Sequence, residues 1–84
     1  MSINSSNTIH ELLQEAIQIL PALNSGESFI VRDLFRGFEW NRIPVGTRIK
    51  LGSLFLAYAQ GDGSGNIEVR EEKTKQNQQI YIKK

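Results

Sequence analysis

Cysteine is absent from the 84 residues. That removes disulfide frameworks, thiolate zinc sites and cysteine nucleophiles together, and it agrees with a reducing, cytoplasmic setting in which stability comes from packing alone. Histidine occurs once, as His10, so no second His or Cys stands ready to share a metal ion, and no metal or other cofactor is implied. Long apolar runs are also missing: nothing approaches the roughly 20 residues that cross a bilayer, and the start from Met1 to Thr8 is polar and uncharged. Neither secretion nor membrane insertion is expected. Net charge is nearly absent too, at +1, which argues against tight, autonomous binding to nucleic acid.

What is present is ordinary for a globular chain, with 39% hydrophobic and 23% charged residues, enough for one modest core. The small net charge hides an uneven distribution. Up to residue 29 the only ionic groups are Glu11, Glu15 and Glu27. Residues 30–60 then set Arg32, Arg36, Arg42, Arg48 and Lys50 against Asp33 and Glu39. Residues 61–84 are almost balanced, ending on Lys83 and Lys84.

Thr8-Ile9-His10-Glu11 is a capping box, and it predicts a first helix whose apolar face carries Ile9, Leu12, Leu13, Ala16, Ile17 and Leu20. Pro21 and Asn24-Ser25-Gly26 end it near residues 20–23. Alternation predicts a short strand over 27–31, followed by a short helix over 32–36 that Gly37 closes, with Phe38 and Trp40 adding bulk to the core. After the Pro44-Val45-Gly46 turn, Thr47 caps an expected helix over about 47–60, on which Leu51, Leu54, Phe55 and Tyr58 recur at helical spacing. The glycines of Gly61-Asp62-Gly63-Ser64-Gly65 read as a flexible connector. Two strands follow, over 66–70 and 79–83, joined by a polar tip over 71–78. Ile67, Val69, Ile80 and Ile82 are assigned to their core face.

The expected architecture is therefore an α+β, winged helix-turn-helix-like domain over residues 8–84, with three helices packed on a small antiparallel sheet, behind a disordered stretch over residues 1–7. The expected core comprises Ile9, Leu12, Leu13, Ile17, Leu20, Phe29, Leu34, Phe35, Leu51, Leu54, Phe55, Ile67, Val69, Ile80 and Ile82. Residues 29–35, Trp40, residues 43–48 and residues 51–55 carry the patterns F-x-V-x-D-L-F, a Trp, I-P-x-G-x-R and L-G-x-L-F in that order. On these the chain resembles the bacterial family of domain of unknown function 1413, over roughly residues 21–84. The resemblance implies a small winged-helix-type protein of the kind often carried by mobile elements and phages, and it transfers no catalytic residue.

Catalysis has no constellation behind it. His10 falls on the polar side of the first helix, and Asp33 and Glu39 read as local ion pairs or helix-start charges. Oxygen side chains at Asp62, Ser64 and Asn66 imitate the first three ligands of a calcium loop. The imitation fails at Ile67, where a turn glycine is required, and at Lys73, where a bidentate Glu is required. Trp40 reads as a core anchor in preference to a stacking platform. Tyr81, alternating with Ile80 and Ile82, is expected on the outer sheet face, where stacking on a ligand competes with an incidental surface role.

The basic groups are the stronger signal. Arg48, Lys50 and Ser53 fall off the apolar stripe of the helix in the recognition position, Arg42 lies just before it, and Lys73 and Lys75 lie at the wing. Two functions compete on this surface. One is nucleic-acid binding, DNA before RNA, through Arg42, Arg48, Lys50, Ser53, Lys73, Lys75 and Tyr81. The other is a non-catalytic accessory subunit docking on a larger DNA-processing protein. A homo-oligomer formed through the first helix at Ile19 and Leu23 is a further possibility.

Overall fold

The computed structural model describes residues 7–84, so all but the last residue of the stretch expected to be disordered lies outside the described residues. Helix α1 (Ile9–Ile19) opens with the expected capping box. The Thr8 hydroxyl accepts from the Glu11 N–H at 3.2 Å, and the Glu11 carboxylate accepts from the Thr8 N–H at 2.8 Å. Hydrogen bonding to the Thr8 backbone holds the Glu11 carboxyl below its ordinary pKa. Pro21 follows, and the chain tightens into one 3-10 turn over Leu20–Ala22.

Strand β1 is only Ser28–Phe29, shorter than the expected 27–31. The Ile30 N–H donates to the Asp33 carboxylate at 3.0 Å and leaves the ladder to begin a 3-10 turn over Val31–Leu34. The helix expected over 32–36 is replaced by this turn and by α2 (Gly37–Arg42). Gly37 starts a helix where it was expected to close one, because the Glu39 carboxylate accepts the Arg36 N–H at 3.4 Å and satisfies a donor at the helix entrance. Asp33 and Glu39 thus act as helix-start acceptors.

Helix α3 (Val45–Gln60) begins two residues before the expected Thr47, directly after Pro44. The connector that follows is an ordered turn. The Gly63 N–H donates to the Tyr58 carbonyl at 2.7 Å and the Ile67 N–H donates to the Gly63 carbonyl at 3.0 Å. A Cβ on Gly63 would lie 2.5 Å from the Tyr58 ring, so only glycine permits this approach.

Strands β2 (Ile67–Lys73) and β3 (Gln79–Lys83) complete an antiparallel sheet in the order β1-β3-β2. The architecture is α+β, three α-helices and a small sheet, as expected. The register corrects one expectation. Tyr81 pairs with Val69 on one side and Phe29 on the other, while Ile82 pairs with Glu68 and Ser28. Paired residues share a face, so Tyr81 points into the core and Ile82 points away. Tyr81 is 0% exposed and Ile80 and Ile82 are half-buried. The aromatic wins the interior because Phe29 and Phe55 offer it a stacked contact at 5.5 Å and an edge-on contact at 5.0 Å.

Two buried clusters make the core. The larger joins Ala16, Leu20, Phe29, Leu34, Phe55, Ala59, Ile67 and Tyr81, and the smaller joins Leu12, Trp40, Ile43 and Leu51. Leu13, Val31 and Phe35 pack against both and bind them into one interior. On α3 the buried stripe is Leu51, Phe55 and Ala59, and Leu54 is half-buried outside both clusters. Ile9, Leu13, Phe35 and Val69 line the core from its margin.

Candidate functional site

The flank of α3 beside its buried stripe, from Val45 to Leu56, forms one wall of a groove. The segment Ile30–Arg32, Trp40 of α2 and residues of the β2–β3 hairpin supply the rest of the lining. The hairpin stands out because β2 carries two more residues than β3 between the Val69–Tyr81 and Lys73–Gln79 pairs, a bulge that changes the local twist. Thr74 closes its tip. The Thr74 hydroxyl accepts the Gln78 N–H at 3.1 Å, and Asn77 takes a positive φ of 63°. The resulting cavity is about 650 Å³, within the range of small-molecule clefts.

Four of the seven residues singled out from the sequence come together there: Arg48, Ser53, Lys73 and Tyr81. Arg42, Lys50 and Lys75 do not line the groove. Arg42 lies over the Phe38 ring at 4.9 Å, and Lys50 and Lys75 are exposed. Arg32 is the cation that sequence reasoning passed over. Its signal was present in the basic run, but its place depends on the 3-10 turn that carries it beside α3.

Tyr81 reaches the site from an unexpected direction. Its ring belongs to the core and cannot serve as an exposed stacking platform. It nevertheless contributes to the groove lining, and its hydroxyl oxygen is buried with no hydrogen-bond partner among the described residues. Burial pushes the phenol pKa up to about 12. Arg48 is likewise less free than its sequence position implied. Its guanidinium lies 5.4 Å from the centre of the Trp40 ring, and its Nε is buried without a partner among the described residues. Trp40 is buried, in agreement with the core-anchor reading.

The groove is chemically two-sided. Val45 and Ile49, 65% and 68% exposed, form an apolar rim one helical turn apart. Arg32, Arg48 and Lys73 supply positive charge, and none of the described residues lining it is acidic. Two carboxylates of the hairpin are engaged elsewhere: Glu68 and Glu72 hold the Arg70 guanidinium at 2.9 and 3.2 Å. Among the described residues no cluster of three metal-ligating side chains occurs, and no helix is long and apolar enough to cross a membrane.

Fold and site together define a small α+β protein with a cationic, apolar-rimmed groove between a helix and a hairpin. The chain belongs to the family described as Domain of unknown function (DUF1413), whose model matches residues 14–83. Comparison with curated proteins and with solved structures finds no match.

Proposed function

We propose that the protein is a non-catalytic, cytoplasmic nucleic-acid-binding module of winged-helix type, with α3 as the recognition helix and the β2–β3 hairpin as the wing. DNA is its preferred ligand over RNA. The observation that carries this reading is the charge of the groove, where Arg32, Arg48 and Lys73 line one cavity and none of the described lining residues is acidic. Local charge of one sign attracts a phosphate backbone even when the whole chain is nearly neutral. The order helix, strand, helix, helix, strand, strand supports the winged-helix comparison.

Anisotropy titrations with labelled DNA and RNA over a range of salt concentrations test it. Log affinity falls linearly with log salt for the wild-type protein. Arg48→Ala and Lys73→Ala each flatten that slope by about 0.7 to 0.9, and Lys50→Ala and Lys75→Ala, outside the groove, change it less. Absence of salt-sensitive binding to any DNA or RNA refutes the reading for this domain. A second reading, docking as an accessory subunit on a DNA-processing protein, is favoured by the exposed Val45–Ile49 pair. On that reading Val45→Ser with Ile49→Ser abolishes a binding that is insensitive to salt.

A further inference from the structure

The groove has a floor that charge alone does not explain. Tyr81 is the largest fully buried side chain of the protein, yet its hydroxyl oxygen meets no acceptor or donor among the described residues. The Arg48 Nε, lining the same groove, is in the same condition. A buried donor left unpaired costs free energy. Two of them, on β3 and α3, belong to residues that line one cavity, and each is a cost that a ligand bearing acceptor oxygens would remove. Both groups donate toward such a ligand, the first through O–H and the second through N–H. The Tyr81 phenol is in its protonated, donating form throughout the neutral range, as an ordinary tyrosine is, and burial pushes its pKa further up, to about 12.

We propose that the groove floor is a phosphate subsite, in which one phosphate of a single strand accepts hydrogen bonds from the Tyr81 hydroxyl and the Arg48 guanidinium. The inference rests on the nucleic-acid reading and narrows it to flexible strands. Both donor atoms are covered by the groove's own side chains, so those side chains must part to admit the entering group, which must itself be slender. A single strand bends its backbone into such a recess. A duplex keeps its phosphates on a stiff outer surface and engages the rim, where Lys73 and Arg32 stand. The exposed Val45 and Ile49 then contact the sugar and base portions beside that phosphate. An internal phosphodiester and a terminal phosphomonoester present the same acceptor chemistry, and either fills the subsite.

Tyr81→Phe tests this directly, since it deletes one oxygen and keeps the ring against Phe29 and Phe55. The wild-type and variant proteins are titrated with a labelled single-stranded oligonucleotide, with and without a 5′-phosphate, and with a duplex of the same sequence. The expected result is a loss of about ten-fold in single-strand affinity, the worth of one hydrogen bond to a charged group, and no change for the duplex. Loss with the phosphorylated strand alone identifies the terminal group as occupant, and loss with both identifies an internal one. Arg48→Lys keeps the charge but not the Nε donor, so it repeats the loss while leaving the salt slope unchanged. Chemical shifts of the Arg48 Nε–H in the wild-type protein move on adding the single strand. Single-strand affinity that is equal in wild type and Tyr81→Phe overturns the subsite and leaves the nucleic-acid reading standing. A wild-type protein that binds none of the three ligands refutes that reading itself, and the subsite with it.

Discussion

At the scale of single residues, Tyr81 joins stability to binding. Its hydroxyl is paid for by no contact within the described chain, so Tyr81→Phe should raise the unfolding midpoint even as it weakens ligand binding. A rise in stability with a loss of affinity is the mark of a group kept for function. The same phenol predicts a response to alkali. Its folded pKa is pushed up to about 12 from 10.0 by burial, so the unfolded chain releases this proton first. The contribution of Tyr81 to stability is therefore complete below about pH 10 and is lost as pH rises toward 12. Urea unfolding of wild type and Tyr81→Phe across that window should show the steeper decline in the wild-type protein. Tyrosinate absorbance should contain a late component that the variant lacks.

At the scale of elements, α3 sorts its side chains more finely than an apolar stripe implies. Phe55 meets Phe29, Tyr58 and Tyr81 at ring distances of 6.3, 5.9 and 5.0 Å, and Phe55→Ala should cost about 3 to 5 kcal/mol. Leu54 is half-buried outside both clusters, and Leu54→Ala should cost about 1 kcal/mol, the typical effect of a point substitution. Equal costs in chemical denaturation would contradict this placement of the helix. The turn after α3 makes its own prediction. Gly63→Ala brings a methyl group within 2.5 Å of the Tyr58 ring, an overpacking that should destabilise by about 1 to 3 kcal/mol. Gly65→Ala, with no atom near its Cβ position and no positive φ, should have a much smaller effect.

At the scale of the whole molecule, the two core clusters share Leu13, Val31 and Phe35, and neither is large enough to persist alone. They should melt as one unit. Trp40 fluorescence reports on the smaller cluster, and far-ultraviolet circular dichroism reports mainly on α1 and α3. The two signals should give one midpoint in urea, and Phe35→Ala should lower both together. Separate midpoints would show that the cluster beneath the groove unfolds independently. The groove depends on this unity, since Arg48 lies against Trp40 of the smaller cluster while Tyr81 belongs to the larger.

Local chemistry in the amino-acid sequence was enough to determine the α+β class, the order of the main elements, the capping of α1 by Thr8 and Glu11, and the cationic character of residues 30–60. Each of these depends on neighbours within a few positions along the chain. The family patterns at residues 29–55 were legible in the same way, and the family match over residues 14–83 bears them out. Two features depended on partners distant in sequence. The inner face of β3 could not be read from Ile80-Tyr81-Ile82, because alternation defines two faces without saying which is inside. Pairing with Phe29 and Val69 and packing on Phe55 decide for Tyr81. The basic residues likewise looked equivalent along the chain. Tertiary packing alone gathered Arg32, Arg48 and Lys73 around one groove and left Arg42, Lys50 and Lys75 outside it, because a side chain's direction is set by the helix face and hairpin twist that carry it.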